Sequence, residues 1–253
     1  MTNKLIYFIG NWKMFGNFSS IKIIKKLHKF STSFRKIKKQ HKIILCVPNT
    51  LINFFTSKIK SEYISIGAQN CHSNQTYGPY TGSVSSSMLR NVGARYVILG
   101  HSENRSEGDT NLIIKKKIQS ALNEKLIIIF CIGETLQEKK EKKTLTILKN
   151  QIKGSIDKKY DLNKIIFAYE PVWSIGTGNT PKAEELKKIF SFIRKQIKKI
   201  FKLKKFPTVL YGGSVNDKNI KLFSSIYEID GFLVGGASQS SKKFIDIIKN
   251  YYK

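Results

Sequence analysis

The chain has 253 residues, 41% of them apolar, with 45 Lys and Arg against 17 Asp and Glu and a formal net charge of +28. That length matches one α/β barrel of about 250 residues, and the apolar content supplies a core without disulfide or metal staples. Three cysteines with no CxxC pair exclude a disulfide scaffold and a structural zinc site, and no apolar run reaches the roughly 18 residues of a membrane span.

Short apolar runs alternate with longer amphipathic stretches. Strands are predicted at residues 5–11, 43–48, 64–70, 96–100, 126–132, 165–169, 208–211 and 231–234. Several are apolar at consecutive positions, as expected of strands covered on both faces. Between the first two, Ile21, Ile24, Leu27, Phe30 and Phe34 recur at helical spacing. Residues 110–123 read as another helix. After Pro181, the residues Leu186, Ile189, Ile193, Ile197 and Ile200 form one stripe, with lysines among the solvent-side positions. Thr180 as N-cap, Pro181 in the first turn and Glu184 near the positive helix end mark its predicted start. A last helix is predicted at 242–251. This alternation implies parallel strands with helical crossovers and one domain spanning residues 1–253. Periodicity alone fits an open doubly wound sheet as well as a closed barrel.

In parallel α/β folds the C-terminal strand ends build the active site. The chain places Asn11-Trp12-Lys13-Met14 after the first strand and Gly100-His101-Ser102-Glu103 after the fourth. Tyr169-Glu170-Pro171-Val172-Trp173-Ser174-Ile175-Gly176-Thr177-Gly178 follows the sixth. Tyr211-Gly212-Gly213-Ser214-Val215 follows the seventh, and Val234-Gly235-Gly236-Ala237-Ser238 the eighth. An apolar roof from Pro171 and Trp173 would raise the basicity of Glu170, which suits a general base; a surface salt bridge is its ordinary alternative. On position alone His101 reads more readily as a structural histidine than as a catalytic one, and Lys13 more readily as a solvated lysine than as an anion-binding cation. Two glycine pairs after the last two strands admit backbone N–H groups close to a phosphate; alone, each would read as a tight turn.

These five segments, in this order, resemble the triosephosphate isomerase family, and the resemblance spans Asn11 to Ser238. It implies a (β/α)8 TIM barrel that interconverts dihydroxyacetone phosphate and D-glyceraldehyde 3-phosphate through an enediolate, in glycolysis and gluconeogenesis. It implies Glu170 as the base, His101 as a neutral electrophile, and Lys13 with Asn11 as donors to the intermediate. Backbone N–H groups of Gly176, Ser214, Gly235 and Gly236 would hold the phosphate. Ser102 would hold Glu170 in the open enzyme, Glu103 would orient Lys13, and Cys131 and Tyr211 are supporting residues. Ser102-Glu103 could start a short helix whose positive end keeps the imidazole neutral. Residues 171–177 resemble a mobile lid. No cofactor or metal is implied. Arg194 and Asp230 occupy positions of a buried ion pair.

The resemblance further implies a cytoplasmic homodimer formed through the loop from Asn70 to Ser83, with Thr81 reaching towards the partner's site. Ser83 and Asn104 replace a common glutamate and arginine, which suggests a lost intersubunit ion pair and weaker pairing. Ser174, Asn179 and Gln239 stand where alanine, lysine and leucine are usual. Lysines are spread along the whole chain without an aromatic-basic stacking motif, so neither specific nucleic-acid binding nor a membrane partner is expected. Another phosphate-binding barrel enzyme shares the terminal glycines but not Lys13, His101 and Glu170 in these contexts. A basic nucleic-acid-binding barrel remains a third reading of the charge.

Overall fold

A computed structural model describes residues 4–37 and 41–253, including all their side chains except those of 35–37. Eight parallel strands run β1 (Ile6–Asn11), β2 (His41–Cys46), β3 (Ile64–Ala68), β4 (Tyr96–Leu99), β5 (Ile127–Ile132), β6 (Ile165–Tyr169), β7 (Val209–Tyr211) and β8 (Gly231–Val234). Each pairs with its neighbour in sequence, and β1 pairs with both β2 and β8, so the sheet closes. Closure decides between the two architectures that the strand–helix alternation left open: this is a (β/α)8 barrel.

Closure also explains the unbroken apolar strands. Ile9, Ile44, Ile98, Ile129, Ile166, Leu210 and Leu233 form one buried cluster inside the ring. Their strand neighbours, including Phe8, Ile43, Val97, Phe130, Phe167 and Phe232, belong to a second cluster shared with the helices. With a side-chain period of two, both sets are buried only if both faces of the sheet are covered.

The helices are α1 (Ile21–Ile37), α2 (Asn49–Lys58), α3 (Ser86–Asn91), α4 (Ser102–Ser106), α5 (Asn111–Asn123), α6 (Leu136–Lys140), α7 (Thr144–Ser155), α8 (Ala183–Ile200), α9 (Ile220–Ser224) and α10 (Ser241–Tyr251). Sequence patterning anticipates α1, α5, α8 and α10. The Thr110 side chain caps α5 by accepting from Ile113 N–H. In α8 the residues Leu186, Ile189, Phe190, Ile193 and Ile197 are buried, while Glu184 and Glu185 occupy the first turn and Lys198 and Lys199 the last.

The expected start of α8 at Thr180-Pro181 is wrong. Lys182 is extended (φ −64°, ψ 149°) and is the N-cap, so Pro181 lies outside the helix in the segment leading to it. Three strand ends also fall short of expectation. Pro48 lies beyond β2 and is the N-cap of α2. Asn70 lies beyond β3. Gly100 leaves β4 at φ +73°, a left-handed turn that glycine adopts without strain. Asp230 anchors the bottom of β7 and β8: its carboxylate meets Arg194 Nη1 at 3.2 Å and Lys4 Nζ at 2.7 Å, and accepts from Val209 N–H. The Arg194–Asp230 pair is therefore present, with Lys4 as an additional partner.

Candidate active site

Three side-chain amides fix the segment after β1. Asn11 Oδ1 accepts the backbone N–H of Lys13 at 3.0 Å. Gln69 Nε2 donates to the carbonyls of Lys13 and Cys46 at 2.9 and 3.1 Å, and Gln239 Nε2 donates to the carbonyl of Trp12 at 2.8 Å. This clamp holds Lys13 at φ +54°, a left-handed conformation that costs a non-glycine residue on the order of 1 kcal/mol. Lys13 Nζ meets Glu103 Oε1 at 2.5 Å. Burial opposes the charge of Glu103, but the hydrogen bond from Lys13 and the charge of that ammonium outweigh it and lower its carboxyl below the usual range.

His101 is the N-cap of α4, and its Nδ1 accepts from Glu103 N–H at 3.2 Å. That bond needs the Nδ1 lone pair, which an imidazolium lacks. The ring thereby sits at the start of the short helix anticipated at Ser102-Glu103, with Nδ1 turned to the backbone and Nε2 turned to the cavity. Nε2 lies 3.5 Å from Glu170 Oε1.

Glu170 directly follows β6, whose Tyr169 carbonyl accepts from Gly212 N–H. Two glycines pack against Glu170, one on the side chain and one on the main chain: a Cβ on Gly212 would lie 2.6 Å from Glu170 Cγ, and one on Gly133 only 1.8 Å from the Glu170 carbonyl oxygen. The residue is 3% exposed and its Oε2 has no hydrogen-bond partner. Burial raises its carboxyl above the usual range, against the opposing pull of a hydrogen bond with Cys131 and the charge of Lys13. Burial likewise pushes the Cys131 thiol well up. Ser102 does not hold Glu170 in this structure: the carboxylate is turned inward towards His101, and no hydrogen bond joins the two residues.

Beyond Glu170, residues Val172–Ser174 form one turn of 3-10 helix. Trp173 Nε1 donates to Glu134 Oε1 at 2.9 Å, and Tyr169 Oη donates to the same carboxylate at 3.1 Å. Burial raises the Glu134 carboxyl, and these donors partly offset it. Ser174 is fully buried; its Oγ contacts the Asn179 carbonyl at 2.5 Å, Tyr211 Oη at 3.2 Å and Ser214 N–H at 3.2 Å. Gly176 and Gly178 have φ of +72° and +79°.

A cavity of about 260 Å³ opens among these groups. Asn11, Lys13, His101, Glu170, Gly176, Ser214, Gly235 and Gly236 all line it, together with Ile175, Val215 and Leu233. A Cβ on Gly236 would meet nothing within 4 Å, so that backbone faces open space. A larger cavity, about 610 Å³, lies at the opposite end of the ring near Tyr7, Tyr96 and Thr208 and holds none of these groups. Among the described residues no cluster of three or more His, Cys, Asp or Glu is set to hold a metal ion, and no helix is long and apolar enough to cross a membrane.

The strand-end motifs mark the residues lining the cavity and the Glu103 partner of Lys13, but not every support. Gln69 falls inside a predicted strand end, and Gln239 stands out in the sequence only as a departure from the usual leucine. Arg105 was not singled out, yet it donates to the carbonyls of Gly100 at 2.7 Å and Cys131 at 3.2 Å, joining the ends of β4 and β5. No local sequence signal marks the contacts of these three residues.

Fold and site together define a (β/α)8-barrel enzyme with a small polar cavity at the C-terminal strand ends and a glycine cradle after the last two strands. The family model described as "Triosephosphate isomerase" matches residues 6–251. A triosephosphate isomerase of Borrelia garinii subsp. bavariensis is 40% identical over 250 residues, covering 96% of this chain and 98% of its own. That of Dictyoglomus thermophilum is 38% identical over 256 residues, covering 99% and 100%. The crystal structure of triosephosphate isomerase from Bartonella henselae superposes with a TM-score of 0.88 at 34% identity over the full length of both chains. This chain belongs to the triosephosphate isomerase family and is an isomerase. The family interconverts dihydroxyacetone phosphate and glyceraldehyde 3-phosphate.

Proposed function

We propose that the chain performs this interconversion through an enediolate, with Glu170 moving the carbon-bound proton and neutral His101 serving the substrate oxygens. The observation that carries this reading is the opposition of Glu170 Oε1 and His101 Nε2 at 3.5 Å on the wall of the cavity that Lys13 also lines. A buried carboxylate with an unpartnered oxygen is a stronger base than a solvated one, and it lies beside a donor suited to a carbonyl oxygen. Deprotonation next to the carbonyl places negative charge on oxygen. The Nε2–H of His101, Nζ of Lys13 and the side-chain amide of Asn11 supply preorganised donors there. Glu103 keeps Lys13 at the cavity mouth.

In this reading Gly176, Ser214, Gly235 and Gly236 bind the phosphate, and residues 171–177 close over it to exclude water. The positive charge of the protein accelerates capture of the dianion. The whole chain acts as one barrel domain in glycolysis and gluconeogenesis. Three buried free cysteines suit a reducing cytoplasm.

The enzyme pairs with a second copy through the loop between Asn70 and Ser83. Tyr77 is 83% exposed at that loop and Met14 fully exposed beside Lys13, a distribution suited to burial against a partner. With Ser83 and Asn104 in place of charges, the interface relies on such apolar contacts. Sedimentation at micromolar concentration is expected to give a dimer; a monomer would contradict this part of the proposal.

The test of function is a coupled assay of D-glyceraldehyde 3-phosphate isomerisation without added cofactor. Wild type is expected to turn over, and Glu170→Gln to lose nearly all activity with the fold preserved. Substantial activity in a folded Glu170→Gln would remove Glu170 as the base.

A further inference from the structure

A serine hydroxyl has one proton and two acceptor sites, and Ser174 uses all three. The Asn179 carbonyl can only accept, so it takes the hydroxyl proton, at 2.5 Å. The Ser214 N–H can only donate, so it fills one lone pair at 3.2 Å. Tyr211 Oη, at 3.2 Å, must then donate to the other. Burial pushes the Tyr211 hydroxyl up to about 12, so it retains that proton at neutral pH. Ser174 is itself 0% exposed. One buried atom thus ties together the lid, the segment that follows it at Asn179, the end of β7 and the phosphate cradle.

We propose that Ser174 is a positioning residue of the lid, a hydroxyl clasp that favours the closed form and couples it to the phosphate-binding amide of Ser214. This inference rests on the isomerase reading of the cavity. With the lid open, Ser174 leaves Tyr211 and Ser214. With it closed, the three bonds form and Gly176 is brought to the cavity wall. An incoming phosphate dianion is a stronger acceptor than a neutral hydroxyl and competes for the Ser214 N–H. The clasp then keeps its bonds to Asn179 and Tyr211 while the ligand takes over the third. Alanine at this position removes the junction and leaves a tyrosine hydroxyl, a carbonyl and an amide to find other partners.

The ligand binds best to the closed form, so a lower closed population weakens apparent affinity by the same factor. Loss of the clasp is expected to weaken binding about tenfold, the effect of losing one to two buried hydrogen bonds. The probe is phosphoglycolate, whose carboxylate and phosphate mimic the charges of an enediolate phosphate. Its Kd, steady-state kcat and KM, and the hydrogen–deuterium exchange of residues 171–180 are measured for wild type, Ser174→Ala, Tyr211→Phe and the double variant. The expected results are a higher Kd in Ser174→Ala, faster exchange confined to the lid, and a double variant little worse than either single one. If Ser174→Ala does not fold, Tyr211→Phe removes the same bond from the other side and is expected to show the same lid-specific exchange. Unchanged Kd and lid exchange in either folded variant, or additive effects in the double variant, would overturn the clasp. Failure of wild type to bind phosphoglycolate or to isomerise would instead overturn the reading of the cavity itself.

Discussion

Gly133→Ala acts on the proposed base without touching its side chain. A Cβ built on Gly133 falls 1.8 Å from the Glu170 carbonyl oxygen and 2.5 Å from its carbonyl carbon, and ordinary contact begins near 3.4 Å. The atoms in conflict are backbone, so no rotamer change relieves them. The Glu170 main chain must retreat by about 1.6 Å, and it is also tied to β5 through its N–H to the Ile132 carbonyl at 2.8 Å. A displacement of about 1 Å in a catalytic group can cost about 100-fold in rate. We therefore expect kcat to fall at least about 100-fold in the coupled isomerase assay, with a smaller change in KM. A melting curve measured alongside separates misplacement from unfolding. Folded Gly133→Ala with kcat within threefold of wild type would refute the argument that this glycine sets the position of Glu170. Gly236→Ala supplies the contrast. Its Cβ meets no protein atom within 4 Å and projects into the proposed phosphate space, so KM is expected to rise more than kcat falls.

Protonation of Glu170 should define an acid limb in kcat/KM lying above the usual carboxylate range, because burial raises this group. The folded protein holds that proton to higher pH than the unfolded chain does, so stability falls as pH rises between the two pKa values. Glu170→Gln is accordingly expected to melt at or above the wild-type temperature at neutral pH while losing activity; a lower melting temperature would contradict the burial cost. Asp230→Asn leaves Arg194 and Lys4 without their carboxylate near the bottom of the barrel. A loss of about 3 kcal/mol is expected by denaturant titration, equivalent to a melting temperature roughly 6–12 °C lower; a loss below 1 kcal/mol would refute the assignment. Gln239→Leu removes the donor to the Trp12 carbonyl and should cost about 1 kcal/mol, with a measurable rise in KM through Lys13; unchanged stability and KM would show that this tether is idle.

Much of the barrel and its mouth is legible in the sequence for a physical reason. Strands buried on both faces read as apolar runs, and the groups that line the cavity follow those runs directly. Asn11, His101, Glu170, Ser214 and Gly235 each stand within a few residues of a strand end. Closure is legible only through the family resemblance and not from periodicity, because pairing β1 with β8 joins Gly10 to Val234, far apart along the chain, and the local pattern of an open sheet is the same. The supports of the site were not legible either: Gln69, Arg105 and Gln239 act through side chains reaching carbonyls on other loops. The expected start of α8 failed because Thr180-Pro181 carries a helix-start pattern while Lys182 remains extended. By contrast, the start of the short α6 carries a readable capping box, Thr135 with Glu138. The Ser102–Glu170 contact depends on which way the carboxylate is turned, and residue identity does not specify that.

In the proposed reaction Glu170 carries a proton from carbon to carbon by way of an enediolate. Isomerisation in deuterium oxide, with the product analysed by NMR for carbon-bound deuterium, tests it most directly. Deuterium is expected at the carbon that receives the proton, with both turnover and label lost in Glu170→Gln. Product formed by the wild type with only the original hydrogen on that carbon, however slowly the reaction is run, would contradict a solvent-exchangeable base and with it the role assigned to Glu170.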